Sequence, residues 1–250
     1  MYAGKVGDDL FGSFYAQDMA KAGVHYKIPY GNEATGTCVV LITPDAQRTF
    51  FTHLGISTKL KPEDIDEESI KQSQWVYIEG YLWDADGPKA ASRKAMEVAK
   101  KNGVQVAYSF SDPFCVKRAR KDFLHFTQEY VDLVFCNEEE AFAFAETDNH
   151  AESIRYITDL NAGVVLTAGT DGSHFCYKGN EGKAPCFTVK AVDSTGAGDL
   201  YAAGVLYGLT HGHDIQKACR LGAFCASKVV ATMGARLKEK IDVSDQRFQK

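Results

Sequence analysis

The stretch "VDSTGAGDLYAAG", residues 192–204, sets Gly196, Ala197 and Gly198 between two aspartates, Asp193 and Asp199, and then turns apolar. A glycine turn running straight into a long apolar segment predicts a helix over 197–210 with a bare N-terminus. The first turn of a helix has unpaired N–H groups and a partial positive charge. Glycine lets a ligand approach that backbone closely, so the turn suits phosphate or a developing anion. Asp199 sits within the first turn and has two readings. It complements the helix dipole, or it acts as a general base beside an anion hole and deprotonates a hydroxyl.

Upstream of the turn, short apolar, β-branched or aromatic runs alternate with longer segments of helical spacing. The runs are "WVYIE" (75–79), "VQVAYSF" (104–110), "VDLVFCN" (131–137) and "GVVLTAG" (163–169). Helical spacing covers 87–102, stopping at Gly103, and 137–146, "NEEEAFAFAE", with its acids in the first turn. Such alternation predicts a mostly parallel sheet with helices on both faces. Two segments differ. "HFCYKG" and "APCFTVKAV" flank a polar "NEGK" and read as an antiparallel hairpin at the sheet edge. The segment 34–56 reads as two extended strands joined at "TPDAQ", either an ordinary sheet edge or a flap over a site. Downstream, a second long helix is expected over 214–232.

In open α/β sheets ligands bind beyond the carboxyl ends of the strands. Polar groups recur at those ends: Glu79 to Tyr81, Ser109 to Asp112, Asn137 to Glu140, and Thr167 to Gly172. Asn137 followed by Glu140 is also the pattern of a helix-capping pair. Arg48 reads as a surface charge or as a reach into the flap. His53 and His125 read as structural or exposed.

Bulk composition narrows the function. The 250 residues are 45% hydrophobic and carry a net charge of −5 with no clustered basic face, which excludes a nucleic-acid surface. The acids at 63–68 read as a solvated helix face. Seven cysteines, none spaced C-x-x-C, read as reduced thiols of a cytosolic protein. No run is long and apolar enough to span a membrane, and "MYAGKVGDD" lacks a signal-peptide core. Walker-type G-x-x-x-x-G-K-[ST] and G-x-G-x-x-G are both absent.

"DSTGAGD" resembles the second signature of the ribokinase-like (PfkB-type) carbohydrate and nucleoside kinases. "NEEE" resembles that family's N-x-x-E, "TAGTDG" its T-x-G-x-x-G, "GKVGDDLFG" the stretch after its first signature, and "GTCVVLITPDAQRTFF" its lid strands. "EGYLWD" and "SDPFCV" are similar to bacterial adenosine kinase-like members. The resemblance implies a three-layer αβα sandwich with a mostly parallel sheet, the core at 1–28 and 57–250 and a small β lid at 29–56. It implies transfer of the ATP γ-phosphoryl group to a CH2OH of a nucleoside, adenosine preferred, or of a sugar as in ribokinase and fructokinase. By position, Asp199 is the implied base, and Gly196, Ala197 and Gly198 are the anion hole. Thr167, Gly169, Gly172, Asp193 and Thr195 line the nucleotide, and Asn137 and Glu140 order Mg2+ through water. A monovalent cation and a homodimer through the lid or an exposed sheet edge are compatible with the resemblance.

Members of the family carry a leading segment with the first strand and acceptor-binding residues, and "MYAGKVGDD" corresponds to a point just after it. On this reading residue 1 falls where an interior strand belongs. The chain as written is then expected to keep its ATP half-site while binding its acceptor poorly, and the alternative to an active kinase is a nucleotide-binding remnant.

Overall fold

The computed structural model describes residues 1–43, 48–237 and 239–243, with the Arg48 side chain left out. The "TPDAQ" turn, from Pro44 on, and the reach of Arg48 therefore lie outside the described residues. In chain order the strands and helices are β1 (Tyr2–Ala3), β2 (Val6–Gly7), α1 (Leu10–Lys21), β3 (Tyr26–Lys27), β4 (Tyr30–Gly31), β5 (Thr37–Ile42), β6 (Arg48–His53), α2 (Glu67–Lys71), β7 (Trp75–Glu79), α3 (Asp86–Lys101), β8 (Gln105–Ser109), α4 (Pro113–Glu129), β9 (Leu133–Asn137), α5 (Glu138–Ala145), α6 (His150–Thr158), β10 (Gly163–Thr167), β11 (Ser173–Tyr177), β12 (Asn180–Ala184), α7 (Ala197–Thr210) and α8 (Ile215–Val230). Six strands form the main sheet in the order β12-β11-β10-β9-β8-β7. β8, β9 and β10 run parallel, and β11 and β12 are antiparallel to their neighbours.

Contacts divide the chain into two compact units, Met1–Leu41 with Arg48–Val106, and Ala107–Lys250 with Ile42–Gln47. In the first, β1 pairs with β3 and β2 with β4, both in parallel. Asp9 starts α1 as its N-cap and also binds the Thr35 amide and hydroxyl, at 2.8 and 2.7 Å. These bonds hold its carboxyl below the usual range. Helix α3 buries Ala91, Ala95, Met96 and Ala99 on one face and ends where Gly103 takes a positive φ. The acids at 63–68 make caps and ion pairs: Asp66 caps α2, Asp64 meets Lys5 at 3.2 Å, and Glu67 meets Lys94 at 2.7 Å.

In the second unit β9 and β10 are buried on both faces, which is why they appear in sequence as unbroken apolar runs. Leu133, Val134, Val164, Val165 and Leu166 are all fully buried. Beside them Tyr108, Phe110, Phe123 and Phe144 form a chain of ring contacts with centroids 4.5–5.9 Å apart. Helices α7 and α8 pack at close range, because a Cβ on Gly204 would lie 2.7 Å from the Gly222 Cα.

The hairpin differs from its sequence reading. Its turn is Lys178-Gly179, not "NEGK", and "NEGKA" is itself the second strand, paired from Tyr177↔Asn180 to Ser173↔Ala184. Both turn residues have positive φ, 49° and 77°, as a two-residue type I′ turn demands. The β-branched run that follows, 187–192, forms no strand.

Candidate active site

The carboxyl ends of β9 and β10 lie side by side, since Thr167 is the register partner of Asn137. β8 ends one strand further along, where the Phe110 amide donates to the Phe135 carbonyl at 3.0 Å. Asn137 is the last residue of β9 and the N-cap of α5. Its Oδ1 accepts from the Glu140 amide at 2.9 Å. In return the Asn137 amide and Nδ2 donate to the two Glu140 oxygens, at 3.0 and 2.8 Å. The capping pair foreseen in the sequence is thus complete. Glu140 is only 6% exposed. Its burial raises the carboxyl to about 7, and nearby Asp112 and Glu139 push the same way against the Asn137 hydrogen bond.

From Thr167 the chain makes a tight 3-10 turn over Gly169–Asp171, closed by the Ala168 amide on the Gly172 carbonyl at 2.8 Å. Gly172 has φ 88°, and a Cβ there would lie 2.3 Å from the Ala184 carbonyl oxygen, so only glycine lets the chain enter β11. Gly169 also has positive φ, but one side of it faces open space.

The third element is the start of α7. Asp193 is 1% exposed. One of its oxygens accepts from the Thr195 amide and hydroxyl, at 2.9 and 2.6 Å, and the other from the Gly234 amide at 2.8 Å. The Val192 amide bonds the Val230 carbonyl at 2.9 Å. The turn before α7 is therefore stitched to the chain that follows α8. Gly196, the N-cap, sits at φ 79° against Ala235 and offers no side-chain cap. The Ala197 amide is taken by the Ser194 carbonyl at 3.2 Å. Of the three amides that the resemblance implies for an anion hole, this one is engaged within its own turn. Among the described residues the Gly198 and Asp199 amides have no protein partner, and a Cβ on Gly198 would meet open space.

Asp199 is the third residue of α7. Its carboxylate makes no hydrogen bond among the described residues, and burial raises its pKa. The residue still reaches solvent. A carboxylate in the first turn of a helix complements the dipole, and this one has no protein donor on its oxygens among the described residues. It remains available to a ligand proton.

Sequence reasoning grouped these residues by motif, and the structure joins the groups through contacts it did not foresee. The Ser173 and Tyr201 hydroxyls meet at 2.6 Å and tie the turn after β10 to α7. Gly234 closes the Asp193 network. No local pattern marks either contact. Among the described residues no cluster of three or more His, Cys, Asp or Glu side chains could hold a metal ion. No described helix is long and apolar enough to cross a membrane.

A parallel α/β sheet with polar strand ends, a glycine turn at a helix N-terminus and an unpartnered carboxylate there define a phosphoryl-transferring α/β enzyme. The chain belongs to the pfkB family of carbohydrate kinases, whose pattern matches residues 1–241. The adenosine kinase of Sinorhizobium meliloti shares its ribokinase-like fold with a TM-score of 0.92 and 35% identity, over 95% of this chain and 74% of that one. The adenosine kinase of Saccharomyces cerevisiae is 29% identical over 98% of this chain and 76% of its own length. A 5-dehydro-2-deoxygluconokinase of Clostridium perfringens is 28% identical over 92% and 72%. The chain is thus an ATP-dependent kinase of the nucleoside and sugar class.

Proposed function

We propose that this kinase moves the γ-phosphoryl group of ATP to a CH2OH of a nucleoside, adenosine being the preferred acceptor, with Asp199 as the base. The observation that carries the assignment is the unpartnered Asp199 carboxylate beside the unbonded Gly198 and Asp199 amides. The acceptor O–H gives its proton to Asp199. The freed oxygen pair forms the new P–O bond while the bridging P–O bond to the β-phosphate breaks, and ADP leaves with that electron pair. In this reading the Gly198 and Asp199 amides, beside the Gly196 turn, take the migrating charge at the positive end of α7. Thr167, Gly169 and Gly172 line the nucleotide, and Asp193 and Thr195 hold the α7 entry in shape. Mg2+ neutralises phosphate charge when bound. Both Glu140 oxygens are already engaged by Asn137, so this pair suits holding the ion through water.

The segment 29–56 is assigned as a lid over the acceptor. Val39, Leu41, Phe50 and Phe51 on its strands are exposed, a surface that favours self-association as a homodimer. The seven free thiols suit a reducing cytoplasm. A sugar acceptor is the second reading, favoured by the carbohydrate-kinase family and the gluconokinase relative.

A coupled ADP-release assay over adenosine, inosine, ribose and fructose, run in potassium and in tetramethylammonium, ranks the acceptors and tests the monovalent cation. Asp199→Asn is expected to lower kcat at least about a hundredfold without lowering the thermal midpoint. A variant at the wild-type rate would remove Asp199 from the role.

A further inference from the structure

Asp199 makes no hydrogen bond of its own among the described residues, so its position depends on whatever fixes the first turn of α7. Tyr201 lies two residues further on. At about 100° per residue it projects roughly 200° away from Asp199, toward the sheet rather than the ligand side. It is 5% exposed, and its hydroxyl meets that of Ser173, 1% exposed, at 2.6 Å. Its ring packs on α8, since a Cβ on Gly222 would lie 3.1 Å from Tyr201 Cε1. Ser173 immediately follows Gly172 and is the register partner of Thr167. One buried contact thus connects the turn after β10 with α7.

We propose that Ser173 and Tyr201 are a positioning pair for phosphoryl transfer, fixing the start of α7 relative to the Gly169–Gly172 turn. The proposal rests on the assignment of Asp199 as base. Neither hydroxyl touches substrate; both act through the helix. A phenol can pack as well without its oxygen, so Phe at 201 removes the bond while retaining the ring. Ala at 173 removes it from the other end. A misplacement of the order of an ångström at a reacting group costs up to about a hundredfold in rate.

The test compares wild type, Tyr201→Phe, Ser173→Ala and the double variant. It uses kcat on adenosine, or on whichever acceptor the panel selects, the MgATP dissociation constant by calorimetry, the thermal midpoint, and the kcat–pH profile. Each single variant is expected to lose roughly tenfold to a hundredfold in kcat while binding MgATP within about twofold of wild type. The double variant should fall no further, because both changes delete one bond. The acid limb of kcat should move to lower pH, because a loosened helix start lessens the burial that raises the Asp199 carboxyl. Should Tyr201→Phe not fold, Ser173→Ala carries the same comparison. Wild-type kcat in a folded variant, losses that simply add, or losses that follow the folded fraction would each overturn the pair. Asp199→Asn at full rate would instead overturn the assignment beneath it, whatever the pair does.

Discussion

Replacing Gly222 by alanine tests how closely α7 and α8 are packed. A Cβ at 222 would lie 2.7 Å from the Tyr201 carbonyl oxygen and 2.8 Å from Val205 Cγ2. Carbon atoms in good contact sit about 3.5–4.0 Å apart, so the helices must separate by something approaching an ångström. The oxygen belongs to the backbone, and a rotamer change cannot relieve it. Overpacking of this kind costs about 1–3 kcal/mol. Exchanging glycine for alanine inside a helix returns up to about 1 kcal/mol. The net loss is about 1–2 kcal/mol, or roughly 2–8 °C in Tm for a chain of this size. Differential scanning calorimetry and urea unfolding at fixed pH read it directly. Because the clash bears on Tyr201, kcat should fall with stability. A variant with the wild-type midpoint or higher would show that the two backbones are not in close contact, and the reasoning would fail.

Gly198→Ala is the complementary case. Nothing lies within 4 Å of the added methyl, so calorimetry should show unchanged or slightly raised stability, while kcat/KM for ATP drops at least several-fold because the methyl fills the ligand side of the turn. Glu140 predicts a pH dependence. A carboxyl raised from 4.5 to about 7 on folding binds its proton more tightly in the native state. Its contribution to stability is therefore best at low pH and declines as pH rises from about 4.5 through about 7, by roughly 3 kcal/mol at most. Urea unfolding at pH 5 and pH 8 should show wild type losing about 2–3 kcal/mol more across that interval than Glu140→Gln, although the amide also sets two donors face to face with Asn137. Equal slopes would mean that Glu140 does not titrate there.

The main sheet was legible because its central strands, such as 133–137 and 163–167, are doubly buried and so read as continuous apolar runs. The start of α7 was legible from the glycine turn at Gly196, and the expected start of α8 falls on Asp214, which caps it through the Lys217 amide. The hairpin was misplaced because Lys178, a residue with no turn signature, takes a left-handed conformation, while the β-branched run after it suggests a strand that does not form. At the site, the capping pair and the G-A-G-D turn were readable because both are local. The Gly234 donor and the Ser173–Tyr201 bond depend on tertiary approach, and no spacing of residues encodes them.

The buried Asp193 carboxylate gives the last part of the chain a particular mechanics. It receives the backbone just before α7 and, through Gly234, the backbone just after α8. The helical hairpin therefore leaves and returns through a single polar knot, like a handle fixed at one boss. Its far bend, around Gly212, can be lengthened or cut without slackening the end that faces the ligand, whereas loosening the knot frees both arms at once.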